Sequence, residues 1–584
     1  MKFLSAFFLF FCTVFATFAQ TTKSPNGGST YVPLNDDMYR LIDRYALKYA
    51  DSVPELHTSI KPYLRKTVAK LAEKALRDSA NLSAADRFNL TYLLQDNWNY
   101  LPEPEVNLIP VSDTTVMIGQ TPQYVVGPNF NTSRKPILKH FYKNKTDFYH
   151  VETEDFSLRV NPVIHFQGGF DTDSSGFRYV NTRGLQVEGT IDRKLSFYTF
   201  LADNQARFPE YVNDRIARDT IVPHEGYWKN FKENGYDFFT ARGYINYALS
   251  KHINVQFGHD KNFIGNGYRS LILSDYAPAY FFLKLNTQVW KLQYENIFAS
   301  MNADHSIGDR LYPKKYFAYH HLSYNIKPNL NVGVFESVVF ARGKGNFELE
   351  YLNPIIFYRS VEQQLGSDDN ALLGLDFKWN IRRRVQLYGQ LVLDEFLLSA
   401  IKARNGWWAN KQGGQFGAKY IDAFGLKNLD LQGEFNYLRP YLYQHESRFT
   451  NYQHYQQPLA HPMGANLSEL IGIATYQPIG KLAITGKAIY TYFGADTDTL
   501  NWGGNVLKPY VPHPQDYGNK VGQGNTTQQL HLDLTVSYQL KPNMFIDLKQ
   551  ILRHTDAELN QFDNNSAFSS ISFRWNIGQR LHEF

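Results

Sequence analysis

The chain has 584 residues, a formal net charge of +5 and 16% aromatic residues, including 40 Tyr and 43 Phe, yet its mean hydropathy is only −0.41. That excludes a bundle of apolar membrane helices, and a charge so dilute, with no basic run on a recognition motif, argues against a nucleic-acid partner. Many aromatic, polar and glycine residues in an exported chain fit a transmembrane β-barrel, where lipid-facing and lumen-facing positions alternate.

Residues 1–19 read as a signal peptide: Lys2, an apolar core from Phe3 to Phe15, and a small-residue cleavage site at Thr17–Ala19 before Gln20. The apolar run is short for a membrane anchor. Cys12, the one cysteine, lies within that core, so the mature chain would hold none, which removes disulfide, thiol and cysteine–metal chemistry. Residues 20–34 are a polar, flexible leader.

Helical spacing occupies 35–100. Met38, Leu41, Ile42 and Tyr45 form one stripe after Asn35, and Leu64, Val68, Leu71, Ala72 and Ala75 form a second. Ser83 with Asp86 makes a capping box for a third helix. This region is expected to be periplasmic, packed on a barrel or its mouth, with a partner-binding module as the alternative. Residues 101–155 are an irregular connection.

From 156 to 584 the period is two. In Leu530–Leu540, Leu530, Leu532, Leu534, Val536, Tyr538 and Leu540 alternate with Gln529, His531, Asp533, Thr535, Ser537 and Gln539. A soluble sandwich alternates as well, so the turns carry the distinction. An aromatic residue with apolar positions two, six and eight residues on recurs at Tyr247, Tyr324, Trp379 and Tyr538, with variants near Ile191 and Tyr476. Looser turns fall near Asn286–Gln288 and Gly425–Asn428. All are short, whereas the intervening connections are long. Adding a first strand (Phe156–Phe166) and a last (Phe568–Ile577) predicts an all-β outer-membrane barrel of about 18 antiparallel strands. The turn aromatics fit a periplasmic girdle, and basic residues such as Lys194, Lys251 and Lys481 either meet lipid head groups or keep the turns soluble. The chain ends in Phe584, as many outer-membrane proteins do.

Val255–Leu285 stands out. Two strand-like ends enclose a glycine-rich segment too long for a hairpin, and Leu271-Ile272-Leu273 is too apolar for a solvated loop. It is expected to dip into the lumen or pack beneath other loops, acting as a plug or binding-surface element, with the alternative of a ragged strand start.

Two stretches, Gly265-Asn266-Gly267 with Arg269 to Asp275 and Gln457 to Asn466, resemble the Wzi family of capsule assembly proteins. The segments from His57 (HTSIKPYLRK) and Asn161 (NPVIHFQGGF) are similar to its RemB-like branch, which is linked to gliding motility. The resemblance spans nearly the whole chain. It implies a lectin-like outer-membrane protein that holds or organises surface polysaccharide, in contact with outer-membrane lipid and with capsule export or gliding machinery. It implies no cofactor and no enzymatic activity.

Sugar binding needs flat aromatic faces beside polar groups. Trp407 and Trp408 within Asn405–Lys411, Tyr268 with Arg269, and Trp502 offer them; girdle or loop packing is the alternative use. Gly265, Gly267, His461 and Gly464 are expected to shape loops. The carboxylate pairs Asp394/Glu395 and Glu348/Glu350 suit lumen salt bridges better than a glycosidase, and the scattered serines and histidines contain no nucleophile elbow. His259-Asp260-Lys261 and His461 lack metal-ligand spacing. A general porin and a surface polysaccharide hydrolase are the competing functions. A TonB-dependent transporter would need a longer barrel.

Overall fold

The computed structural model describes residues 27–584 except 35, 50–52, 79–80, 102–108, 113–114, 119–120, 125–129, 305–311, 343–345, 368, 396 and 498–499. The signal peptide, residues 20–26 of the leader and Asn35 lie outside the described residues.

Eighteen antiparallel strands close into a barrel. They are β1 (Phe156–Asp171), β2 (Arg178–Ile191), β3 (Leu195–Arg207), β4 (Gly235–Ala248), β5 (Ile253–Asp260) and β6 (Tyr280–Val289). Next come β7 (Leu292–Asn302), β8 (Lys314–Lys327), β9 (Leu330–Phe340), β10 (Asn370–Ile381), β11 (Val385–Leu393) and β12 (Gln412–Tyr420). The last are β13 (Leu429–Leu438), β14 (Leu467–Ile479), β15 (Leu482–Ala495), β16 (Asn525–Lys541), β17 (Met544–Ala557) and β18 (Asn564–Trp575). Closure runs from Phe568 opposite Asp171 to Trp575 opposite Ile164.

Burial along these strands is inverted relative to a soluble protein. On β16, His531 and Asp533 are buried while Leu534 and Tyr538 on the other face are half-exposed. Alternation marks the faces; only closure shows that the polar one is inside. All eight expected turns lie at one end, and the other end carries the long loops together with two six-residue connections, 172–177 and 558–563. One turn sits differently from its expected place: Asn286–Gln288 continues β6, and the chain reverses at Trp290–Lys291. The first strand runs on to Asp171, and the last ends at Trp575.

Three helices, α1 (Asp36–Tyr49), α2 (Arg65–Arg77) and α3 (Ala84–Asp96), pack their apolar stripes into one core. Ser83 caps α3 reciprocally with Asp86, because each satisfies a backbone N–H that the first turn leaves open. Within 109–124 three short strands form a small sheet, and Tyr149–Glu152 pairs with the start of β1.

Candidate functional site

The three helices do not hang below the barrel. They are keyed into its short-turn end by ion pairs to lumen-facing wall residues. Arg44 of α1 is buried against Asp86 at 3.1 Å, Asp422 at 2.6 Å and Asp430. Arg65 joins Asp96 at 2.6 Å to Glu188 of β2 at 3.0 Å, and Arg574 of β18 reaches Asp37 at 2.7 Å. Asn89 and Gln477 exchange amide hydrogen bonds of 2.8 and 2.9 Å. Burial would raise the Asp43 carboxyl, but Lys419 and Lys61 beside it outweigh that and hold it down at about 2.

From the long-loop end, the connection between β5 and β6 descends to meet them. Phe263–Ile264 pairs antiparallel with Ile60–Lys61, and Gly265 donates its N–H to the Ser59 carbonyl at 2.7 Å. Gly265 has a φ of +137°, and a side chain at Gly267 would strike Gln415 and Glu434 at 2.6 Å, so the bend needs both glycines. Leu271, Ile272 and Leu273 are wholly buried in an apolar core with Tyr443, Tyr452 and Leu459 from the connection between β13 and β14. Their backbone polar groups are satisfied in place: Tyr443 and Tyr452 donate to the Leu271 and Ile272 carbonyls, both at 2.7 Å, and Leu271 donates to Gln390 at 2.8 Å. The stretch is a lumen plug.

Below that core sits a charged hub. Glu434 of β13 accepts the backbone N–H groups of Tyr268 at 2.6 Å and Arg269 at 3.0 Å. Arg269 pairs with Glu469 of β14 at 3.0 Å, and His461 reaches the same carboxylate at 2.9 Å. Tyr268 donates to Glu583, which also pairs with Lys487 of β15 at 3.0 Å. Glu583 is there because the residues after β18 turn back into the lumen. Phe584 is therefore not on the final strand; it packs against Tyr211 and Tyr276 with the Arg215 guanidinium 4.9 Å from its ring. Between plug and helices lies a chamber of about 280 Å³ lined by Asp37, Asp43, Lys61, Tyr268, Arg269 and Lys487, among others. Tyr268 and Arg269 thus face the interior.

Trp407 and Trp408 lie in the cap, on the connection between β11 and β12. That segment is bonded to the one between β15 and β16 through Trp408 N–H to the Asp516 carbonyl and Asn519 N–H to the Gly406 carbonyl, both at 2.9 Å. The Trp408 ring stacks on His513 with centroids 4.3 Å apart and touches Tyr510 at 4.9 Å. Trp407 is half-buried beside it, its carbonyl held by Arg439 at 3.2 Å. Trp502 packs on Gly524 and donates its backbone N–H to the Asp496 carboxylate at 2.8 Å. His461 and Gly464 shape the neighbouring turn: the His461 ring accepts the Met463 N–H at 3.2 Å, and Gly464 has a φ of +81°.

Asp394 and Glu395 stand just beyond β11 around buried Lys411, at 3.8 and 3.3 Å. Burial pushes the Asp394 carboxyl up to about 7, against the pull of Lys411 and with Glu395 adding to it. A folded-state value raised above the unfolded one means the folded cap holds the extra proton. Its contribution to stability is full below about pH 4 and is lost as pH rises through 7. Proteolysis of the 397–411 segment should therefore speed up between pH 5 and 8, and Asp394→Asn should flatten that dependence. The Glu348/Glu350 pair is elsewhere than expected: Glu348 pairs with Arg342 at 2.7 Å in the connection between β9 and β10, outside the lumen. Among the described residues no group of three His, Cys, Asp or Glu side chains is placed to hold a metal ion.

The hub residues Glu434, Glu469 and Glu583 and the anchors Arg44 and Glu188 escaped the sequence reading. For the strand residues the signal was present, since each lies on the polar, lumen-facing register; their arginine or backbone partners on the helices and plug are 123 to 200 residues away.

Neither a protein-family model nor a curated protein sequence matches the chain. Among solved structures it is similar to Wzi of Escherichia coli, described as an outer membrane protein involved in group 1 capsule assembly and a carbohydrate-binding β-barrel. That likeness covers 94% of this chain and 100% of the other, at 14% identity and a TM-score of 0.55. OprD of Pseudomonas aeruginosa matches 71% of this chain and 94% of its own, at 12% identity and a TM-score of 0.40. OccAB4 of Acinetobacter baumannii matches 73% and 98%, at 10% identity and 0.40. The closed barrel with apolar residues outward is an outer-membrane β-barrel. Its resemblance to Wzi is one of fold.

Proposed function

We propose that this protein is a non-enzymatic, non-conducting outer-membrane barrel whose extracellular cap binds and organises surface polysaccharide. Its short turns then face the periplasm, as in outer-membrane barrels generally, and the helices seal that mouth. The observation that carries the reading is the filled lumen: helices from one end and the β5–β6 connection from the other meet at Ile60–Ile264. A diffusion porin requires an aqueous path that this arrangement obstructs. What remains to meet an extracellular ligand is the cap, where Trp407 lies half-buried beside exposed Tyr517 and Asp516. Trp408 and Trp502 position that surface, and Tyr268 and Arg269 support it from below through the plug. Capsule retention and adhesion during gliding are the two processes such a surface would serve, the second following the RemB-like resemblance.

Binding of the purified protein to cell-surface polysaccharide tests the reading. Trp407→Ala should weaken it about tenfold, the equivalent of roughly 1.4 kcal/mol of lost stacking and apolar contact, without altering barrel folding. Unchanged polysaccharide retention and gliding in a deletion strain would remove the assignment.

A further inference from the structure

The connection between β9 and β10 does not join the cap. It folds down the outside of the barrel. Strand register establishes this. On β7, β8 and β9 the residues Ile297, Tyr319 and Phe335 point into the lumen core, so Phe298, Ala318 and Val338 point outward. Those three, with outward Phe340, are buried in a separate apolar cluster with Tyr351, Tyr358 and Val361 of the connection.

The same wall sector carries polar residues on its outer face, which an outer-membrane barrel normally avoids. Each is covered. Asn296 donates to the Pro354 carbonyl at 3.0 Å, and the Tyr294 hydroxyl donates to the same carbonyl. Glu336 accepts the first two backbone N–H groups of helix α4 (Tyr358–Leu365), at 2.7 and 2.9 Å, supplying partners that a helix N-terminus lacks. His320 bonds Glu336 at 3.1 Å and stacks on Tyr358 with centroids 4.3 Å apart. The flap is clasped at its base: Arg342 grips Asp369 through two bonds of 2.7 and 2.9 Å, and Tyr351 donates to the same carboxylate at 2.8 Å.

The outer side of the flap is mainly apolar, although Glu350, Asn353, Gln363 and Gln364 are exposed on the same connection. Ile355 is 83% exposed, Leu349 73% and Phe357 54%, with Leu352 and Leu365 partly exposed. Cap segments are more mixed, exposing Arg448, Asp516 and Lys520 along with Leu398 and Val511. The flap surface continues the belt formed by exposed Phe281, Val334 and Leu375 on β6, β9 and β10. Arg359, the exposed cation on the helix, is bonded twice to Glu362, at 2.6 and 2.7 Å, and its long stem allows the head to reach the head-group region.

We infer that residues 346–367 form a membrane-embedded flap that presents Leu349, Ile355 and Phe357 to the acyl chains of the outer leaflet. It replaces the lipid-facing surface where Asn296, His320 and Glu336 would otherwise meet hydrocarbon, and it adds a second layer to one wall of the barrel. The occupant is lipid, because the exposed face is continuous with the lipid-facing belt.

Nitroxide labels at Ile355→Cys and Leu349→Cys, made with Cys12→Ser and reconstituted in proteoliposomes, test this, with Tyr517→Cys in the cap as the aqueous control. Heat-modifiable migration on gels confirms that each variant is folded. The flap labels should collide readily with oxygen and be shielded from a water-soluble nickel chelate, the reverse of the control. Nickel access equal to that of the control would overturn the inference. So would shielding from both quenchers, which would mean that protein, such as a second copy of the chain, covers the flap.

Discussion

Planar bilayers containing the intact protein are expected to show no steady conductance, and Arg44→Met is expected to release the helical unit from the barrel mouth. Among the described residues Arg44 is the one cation within bonding distance of Asp86, Asp422 and Asp430 together, with its side chain almost wholly buried. Removing it leaves carboxylates crowded at the seam, and breaking a buried ion pair from one side costs about 3–5 kcal/mol. Lys48 lies 2.7 Å from Asp422 and 3.6 Å from Asp86 and softens the loss. Arg44→Lys keeps the charge but not the fork, so an intermediate effect is expected. Trypsin sensitivity of residues 53–101 in otherwise folded barrels reads the release. Conductance should still be absent, because the plug seals the other end, and should appear only when residues 262–278 are replaced by a short linker as well. Large steady conductance of the unaltered protein would defeat the non-conducting reading.

The second large effect is expected at Glu469→Leu. Its carboxylate holds Arg269 at 3.0 Å, His461 at 2.9 Å and Asn436 at 3.1 Å, tying plug, cap and wall to one atom group. Without it Arg269 keeps Glu583, 3.9 Å away, and one backbone carbonyl at 2.7 Å. Leaving a buried guanidinium half-partnered costs about 3–5 kcal/mol. The plug and the His461–Gly464 turn should loosen together, seen as faster amide exchange at Leu271–Leu273 and Met463. Glu469→Gln preserves the shape and some hydrogen bonds, so a smaller change is expected. Exchange unchanged in both variants would show that the apolar core alone seats the plug.

These hubs mark where sequence reasoning stops. The strands, their eight short turns and the barrel class are local patterns of period two and turn spacing, so they could be read residue by residue. The capping box of Ser83 and Asp86 was legible for the same reason. The turn misplaced at Asn286–Gln288 has an alternation that weakens before the chain reverses at Trp290. Leu271-Ile272-Leu273 announced burial by composition, yet the Tyr443 and Tyr452 hydroxyls that satisfy its backbone lie 172 and 180 residues away.

What the sequence alone determined is therefore the barrel class, the two alternating faces of its strands and the presence of an apolar segment that had to be covered. What only the tertiary structure decided is which surfaces do the covering. Arg269 reads in the sequence as a candidate sugar contact, and its side chain lies in an internal ion-pair hub. The connection between β9 and β10, whose Glu348 and Glu350 were expected to serve lumen salt bridges, lies against the outer wall. Both outcomes depend on pairings between charged or apolar groups distant along the chain. Alternation reports the face on which a side chain lies, but not what stands opposite it.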